Sequence, residues 1–279
     1  MKDIILKAED LYFSYDDEKS YSLNGFSIEI ERGKKVAFMG ANGSGKSTFF
    51  LCCNGIHRPV KGTLYIDNKP VEYSKKRLLD LRSKVGIVFQ DPDNQLFSAS
   101  VRQEISFGAL NKGMSEEETR QAVEKVIETL EIGHFAERPT HSLSGGQKKQ
   151  VSIADVLVMN PGIIILDEPA ASLDPKHTTI VNKIVDILVE RGITVLMSTH
   201  NVDYALEWAD DIALVHRGKI LMYGSPLEVF SNEEALKKTN LEKPAALELF
   251  HRLCEKGVLN DSLPLPRNLK TLEEYLNEL

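Results

Sequence analysis

The sequence predicts an α/β fold with a parallel sheet covered by helices, an antiparallel sheet beside it and a helical insert. Three observations carry this. The apolar run Val36-Ala37-Phe38-Met39 leads into a glycine-rich loop, and a breaker-free stretch, Ser47-Thr48-Phe49-Phe50-Leu51-Cys52, leaves it as a helix. Ile163-Ile164-Ile165-Leu166 is four consecutive apolar residues, the pattern of a strand buried on both faces, and two carboxylates follow it. Ile4–Ala8, Leu11–Tyr15 and Phe26–Ile30 are β-rich and partly alternating, as in antiparallel strands with one solvated face.

The 279 residues suffice for one large domain or two. Hydrophobic residues at 42% and charged residues at 27% match an ordinary globular chain. The formal charge of -7 gives no global pull toward nucleic acid or anionic lipid. No apolar run approaches a membrane span, and Met1-Lys2-Asp3-Ile4 has no signal-peptide anatomy. Cys52, Cys53 and Cys254 have neither metal spacing nor disulfide logic and read as core residues in a reducing compartment.

Gly40-Ala41-Asn42-Gly43-Ser44-Gly45-Lys46-Ser47 fits the phosphate-loop pattern G-x-x-x-x-G-K-[ST]. Its glycines let backbone N–H groups turn inward to phosphate oxygens, and the helix adds its positive N-terminal end. Lys46 then reaches the β- and γ-phosphates, and the Ser47 hydroxyl is placed for Mg²⁺. A nucleoside triphosphate is therefore the expected ligand. An aromatic near the loop can stack on its base. Tyr15 is the candidate, with Tyr12 and Phe13 competing and a plain core role open for each.

After this helix, Gly62–Ile66 reads as a strand and Asp67-Asn68 as a hairpin turn. Lys84–Gln90 is another strand, and Asp91–Phe97 cannot continue it because of Pro92 and its polar neighbours. Gln90 thus stands at the C-terminal edge of the sheet, where ligands bind. It either senses Mg²⁺ or the attacking water, or is an ordinary strand end. Ser115 with Glu118 makes a capping box ahead of an amphipathic helix with Ala122, Val123, Val126, Ile127 and Leu130 on its apolar face.

Leu143-Ser144-Gly145-Gly146-Gln147 opens a helix that stops before Pro161. A Ser-Gly-Gly helix start is a second anion-seeking end, yet the chain has one phosphate loop. Contact with the nucleotide of another subunit explains this most simply and points to a head-to-tail dimer. Asp167 and Glu168 end the buried strand, where a magnesium nucleotide offsets their charge. Asp167 is expected to hold Mg²⁺ and Glu168 to take or orient the proton of the attacking water. Ala171-Ser172-Leu173-Asp174-Pro175 turns into a helix ending at Arg191-Gly192, and Ile193–Thr199 is the next buried strand. His200, at its C-terminal end, is placed to hydrogen-bond the γ-phosphate. His57, His134, His141, His177, His216 and His251 lack such placement and metal spacing, and read as solvated or packed.

In this order the motifs resemble those of the ATP-binding-cassette (ABC) ATPases, over a match from the N-terminus to about Gly224. The resemblance implies a P-loop NTPase ABC cassette with a RecA-like core, an antiparallel β subdomain and a helical subdomain. It makes Tyr15 the base-stacking aromatic, Gly40 to Ser47 the Walker A loop, Gln90 the Q-loop glutamine, Asp174 the D-loop aspartate and His200 the switch histidine. The implied nucleotide set is Tyr15, Gly40, Asn42, Gly43, Ser44, Gly45, Lys46, Ser47, Thr48, Gln90 and Asp167. Ser47, Gln90 and Asp167 are implied for Mg²⁺, and Lys46, Gln90, Glu168 and His200 for catalysis. Ser144, Gly145, Gly146 and Gln147 form the signature and act on ATP held by a second cassette, an identical copy or a paralogue.

Gln90–Phe97 resembles the Q-loop of energy-coupling-factor ATPases, including cobalt and nickel importers of CbiO type. The tail agrees: Ser225–Glu228 starts a capped helix, Leu263-Pro264-Leu265-Pro266 breaks the chain, and Thr271 with Glu274 is expected to cap a last short helix. Residues 1–231 are then the cassette, with the helical subdomain at about 91–160, and 232–279 an α-helical extension suited to dimerisation. The implied partners are a transmembrane energy-coupling subunit and a substrate-capture membrane subunit, and the implied place is the cytoplasmic face of the cell membrane. Gln150, Asp155 and Ala170 depart from the family pattern of arginine, a small residue and threonine. The competing readings are a soluble ABC ATPase acting on nucleic acid or ribosomes, against which stand the acidic charge, the single cassette and the absence of sustained heptads, and a non-catalytic regulator, against which stand Lys46, Glu168 and His200.

Overall fold

The computed structural model describes residues 3–16, 20–171 and 173–278, so Ser172 of the expected D-loop and the first two residues lie outside them. The chain opens with β1 (Ile4–Phe13) and β2 (Leu23–Glu31), then β3 (Lys35–Met39), α1 (Lys46–Cys53), β4 (Lys61–Ile66) and β5 (Lys69–Pro70). α2 (Lys75–Lys84), β6 (Val85–Val88), α3 (Val101–Asn111), α4 (Glu116–Thr129) and α5 (Gly145–Leu157) follow. β7 (Ile163–Leu166), α6 (Pro175–Glu190), β8 (Thr194–Ser198), α7 (Val202–Trp208), β9 (Asp211–His216) and β10 (Lys219–Gly224) complete the sheets. The chain then runs through α8 (Pro226–Phe230), α9 (Glu233–Thr239), α10 (Ala245–Glu255) and α11 (Leu269–Asn277).

One sheet has the order β2-β1-β4-β5 and is antiparallel; the other has the order β10-β9-β3-β8-β7-β6. In the second, β9, β3, β8, β7 and β6 are parallel, and β10 joins as an antiparallel edge. The parallel strands are buried along nearly their whole length, which is why they read as unbroken apolar runs. Their C-terminal ends lie on one side, so Met39, Val88, Leu166 and Ser198 all deliver the chain to the same edge.

Several boundaries differ from the expectation. The expected strands Ile4–Ala8 and Leu11–Tyr15 merge into one, β1 (Ile4–Phe13), interrupted by register shifts around Asp10, which takes a left-handed φ of 47°. The bulge keeps Leu11 and Phe13 on the buried face. β1 ends at Phe13, so Tyr15 lies beyond the ladder, and β6 ends at Val88, two residues short of Gln90. Asp67 and Asn68 do make the tight turn, each with positive φ. The last helix is capped by Asn268, which accepts from Thr271 N–H, and Thr271 lies inside α11. An asparagine is the better N-cap, and it comes first in the chain.

α5 packs directly on β6. A Cβ at Gly86 would meet Val156 Cγ1 at 1.9 Å, so only glycine lets the helix approach that strand. The tail packs back on the core: Leu236, Ala246 and Leu247 are buried in the main hydrophobic cluster. Arg267 Nε donates to Leu206 O at 2.9 Å.

Candidate nucleotide site

The glycine-rich loop is fixed between neighbouring strands. A Cβ at Gly40, where φ is 140°, would meet Val215 O at 2.2 Å, and one at Gly45, where φ is 113°, would meet Ser22 O at 2.7 Å. Both positions therefore require glycine twice over, for conformation and for space. Gly45 is the N-cap of α1 and supplies no side-chain cap, and the first turn carries no acidic residue. The amides of that turn are left for an anion.

Lys46 is buried, and its Nζ donates to Gly40 O at 2.7 Å and Ala41 O at 3.1 Å. Burial holds its pKa below the usual lysine value, opposed by the charges of Glu168 and Asp167. Ser44 is buried with an unpartnered hydroxyl. A buried hydroxyl without a partner is unfavourable, and a phosphate oxygen satisfies it. The loop, Tyr15, Ser22, Gln90, Glu168 and His200 line a cavity of about 440 Å³, a volume suited to a nucleotide.

At the sheet edge the polar residues converge. Asp167 N–H donates to Val88 O at 3.0 Å and so stays in the β6 register. Ser198 Oγ donates to Asp167 Oδ1 at 2.5 Å and accepts from Glu168 N–H at 2.8 Å. Glu168 adopts φ 44°, which turns its carboxylate out of the strand line. His200 Nε2 lies 2.9 Å from Glu168 Oε1, and Gln90 Nε2 donates to Glu168 Oε2 at 3.4 Å. Glu168 is thus held on both oxygens, one by each polar residue at a neighbouring strand end. Such a carboxylate can accept a proton from a water in the cavity without losing its orientation.

Mg²⁺ fits the donors present. Among the described residues no cluster of three or more His, Cys, Asp or Glu forms a metal cage. The Ser47 hydroxyl, Gln90 amide and Asp167 carboxylate are hard oxygen donors that, with phosphate oxygens, are what magnesium takes.

Tyr15 is 59% exposed at the mouth, its Oη 3.3 Å from Thr48 Oγ1. The four signature residues do not line this cavity. Ser144 Oγ accepts from Gln147 N–H at 3.3 Å and Gln147 Oε1 accepts from Ser144 N–H at 3.1 Å, so both side chains are engaged in a capping box at the start of α5. Asp174 caps α6: its Oδ1 accepts from His177 N–H at 2.9 Å and its Oδ2 lies 2.8 Å from His177 Nδ1. Those contacts, the backbone one first, hold its carboxyl below the usual range. His177 in turn lies against Gly146.

Three residues outside the predicted set shape the site. Ser198 ties the Asp167 carboxylate to the Glu168 backbone N–H, and its signal was a hydroxyl at the end of an apolar strand. Lys149, almost wholly buried, donates from Nζ to Phe89 O and Gln90 O, each at 2.7 Å. Burial pushes its pKa down to about 8. Gln95 Nε2 donates to Ser152 O at 3.0 Å and Asp155 Oδ2 at 3.2 Å. Together with Lys148 Nζ on Asp93 Oδ1 at 2.6 Å, these bonds fasten the Gln90–Phe97 segment to the signature helix.

Behind Gln90 an open groove of about 570 Å³ runs between Leu79 and Phe89 on one side and Phe107 and Asp155 on the other. Phe97, 68% exposed, packs edge-to-face on Phe107 at 5.0 Å. No helix among the described residues is long and apolar enough to cross a membrane.

Known proteins share these features. A family model described as ABC transporter matches residues 23–171. The energy-coupling factor transporter ATP-binding protein EcfA3 of Clostridium perfringens is 44% identical over all of this chain and 99% of its own. The solved structure of cbiO1 from the same species, described as part of the ABC transporter complex cbiONQ, superposes with a TM-score of 0.76 at 44% identity, covering 91% of this chain and 100% of that one. A dimeric ATP-binding cassette in a post-hydrolysis state with ADP and Pi matches at a TM-score of 0.71 and 28% identity, covering 80% and 99%.

Proposed function

The chain belongs to the ABC transporter family of ATPases, and on that premise we propose that it is the ATP-hydrolysing subunit of an energy-coupling factor importer. It works at the cytoplasmic face of the membrane as one of two cassettes. The loop amides, Lys46 and the Ser44 hydroxyl hold the phosphates, Thr48 and Tyr15 flank the nucleoside, and Asn42 lines the entrance. Ser47, Gln90 and Asp167 would hold Mg²⁺, which when bound neutralises charge on the phosphate oxygens. Glu168 takes the proton of the attacking water, while His200 and Gln90 keep its carboxylate aimed into the cavity. Ser144, Gly145, Gly146 and Gln147 complete the site of the opposing cassette through the exposed start of α5, and Asp174 sets the turn beside it.

In this reading residues 1–231 make the cassette, with a helical subdomain at about 91–160. Residues 232–279 make an extension through which the two copies, or a copy and a paralogue, stay together. A helix of a transmembrane energy-coupling subunit lies in the groove behind Gln90, and a separate membrane subunit captures the cargo. The cargo in this reading is a transition-metal ion, cobalt or nickel, or a vitamin, and the likeness to cbiO1 favours cobalt among these.

The convergence of Gln90 and His200 on the two oxygens of Glu168 carries the proposal. Glu168→Gln is expected to bind ATP, accumulate as a closed dimer in size-exclusion chromatography and lose on the order of 10²-fold or more in turnover. Undiminished hydrolysis would assign the base elsewhere. Purification of the native complex with ribosomes or DNA rather than with membranes would remove the transport reading.

A further inference from the structure

A base-stacking aromatic has to present one face and keep it there, and Tyr15 has little backbone help. It lies two residues beyond the end of β1, outside any ladder. Its side chain is nonetheless held at four points. The ring meets Phe13 edge-on at 5.0 Å and 88° and meets His57 edge-on at 5.2 Å and 84°. The Oη atom lies 3.3 Å from Thr48 Oγ1 and 3.2 Å from His57 Nε2.

His57 is itself immobilised. Ile56 N–H and His57 N–H both donate to Leu51 O, at 2.9 and 3.1 Å, which folds the chain back behind α1. The imidazole stacks on Phe13 at 4.5 Å and 14°. Burial lowers its pKa and so favours the neutral ring, which can either donate to or accept from the phenol. One chain segment thereby links two subsites: the helix whose first turn faces the phosphates continues into the histidine that holds the phenol.

We propose that His57 is a positioning residue for the nucleotide base, holding Tyr15 by its phenol so that the ring stands ready at a fixed distance from the phosphate loop. The inference rests on the reading of Tyr15 as the base platform and adds the group that sets it. Nothing in the residue types alone marks this histidine, which is 42 positions from Tyr15 in sequence. The energetic gain is pre-organisation: a tyrosine already fixed gives up less rotamer freedom when the base arrives.

The test is calorimetric titration of the full chain with MgATP and, separately, with inorganic tripolyphosphate, which has no base. His57→Phe keeps the stack on Phe13 and removes the nitrogen, and Tyr15→Phe keeps the ring and removes the oxygen. Each is expected to weaken MgATP binding about three- to tenfold, the worth of one neutral hydrogen bond, and to leave tripolyphosphate binding within twofold of the original. The double variant should be no weaker than Tyr15→Phe alone, because the phenol's contact with His57 that His57→Phe removes is one of the two, to His57 and Thr48, that Tyr15→Phe already removes. His57→Gln, whose Nε2 occupies a similar place, should bind MgATP within twofold of the original.

His57→Phe that binds MgATP like the parent chain, effects that multiply in the double variant, or equal losses for MgATP and tripolyphosphate would each overturn the proposal. Tyr15→Ala separates the underlying reading. If it leaves MgATP affinity intact, the base does not rest on Tyr15 at all. If Tyr15→Ala weakens binding while His57→Phe does not, only the positioning role fails.

Discussion

Gly146→Ala tests how the signature helix is seated. Gly146 is at the second position of α5 with ordinary helical backbone, so an alanine there gains helix propensity, up to about 1 kcal/mol. The added Cβ, however, would lie 2.0 Å from His177 Cδ2, 2.4 Å from Cγ and 2.8 Å from Cβ. Carbon atoms in contact stay about 3.5–4.0 Å apart, so the ring has to retreat by roughly 1.5 Å. A rotamer change alone is not enough, because the His177 Cβ is also too close. Moving the residue breaks its pairing with Asp174, the cap of α6. Overpacking of this kind costs about 1–3 kcal/mol, and for a chain of this size each kcal/mol lowers Tm by roughly 2–4 °C. Set against the propensity gain, the net cost is about 0–3 kcal/mol, so scanning calorimetry should show Gly146→Ala melting up to about 12 °C below the parent chain. In a His177→Ala background the sign should reverse, with Gly146→Ala neutral or stabilising, since only its helix propensity remains. Equal destabilisation in both backgrounds would refute the contact and the reason given for glycine at this position.

Two further outcomes are expected. Burial, aided by the nearby charge of Glu104 and opposed by Gln95, pushes the Asp155 carboxyl up to about 7. The folded chain then keeps this proton up to about pH 7, while the unfolded chain loses it near pH 4, so this group's contribution to stability declines as pH rises from about 4 to about 7 and is flat above. Asp155→Asn keeps an acceptor for Gln95 and removes that decline. Urea unfolding should find the variant more stable at pH 8 by a few kcal/mol, with the advantage shrinking toward pH 5, and an advantage independent of pH would contradict the buried carboxyl. In a reconstituted complex, Gln90→Ala or substitution within Asp91–Phe97 should lower the stimulation of ATPase by the transmembrane partner more than it lowers the partner-free rate. Full retention of stimulation would remove the groove from the coupling route.

Much of the site was legible because phosphate chemistry writes itself into contiguous residues. The loop from Gly40 to Ser47 holds an anion with successive backbone amides, so its signal is local. The carboxylates at the end of β7 stood out for a related reason: two charges directly after four buried aliphatics are costly unless a ligand or an ion pair offsets them. Ser144 with Gln147 and Ser115 with Glu118 were readable as caps because a capping box spans four residues. Boundaries fared less well where tertiary register decided them. β1 runs through Asp10 by means of a bulge, and Asn268, the better N-cap and the earlier in the chain, displaced Thr271 as the final cap.

By itself, then, the amino-acid order determined which chemistry the chain carries: a triphosphate loop, a metal-compatible carboxylate pair, and polar residues closing the strands around them. Tertiary structure alone decided which groups meet. Ser198 reaches Asp167 across 31 positions, Lys149 reaches Phe89 across 60 and His57 reaches Tyr15 across 42. None of these pairs has a periodicity or spacing that would betray it. They arise because β3 is inserted between β8 and β9, β8 lies against β7, and α5 packs on the glycine of β6. Strand order is set by how buried faces pair in three dimensions, and a one-dimensional pattern records only that each face is apolar.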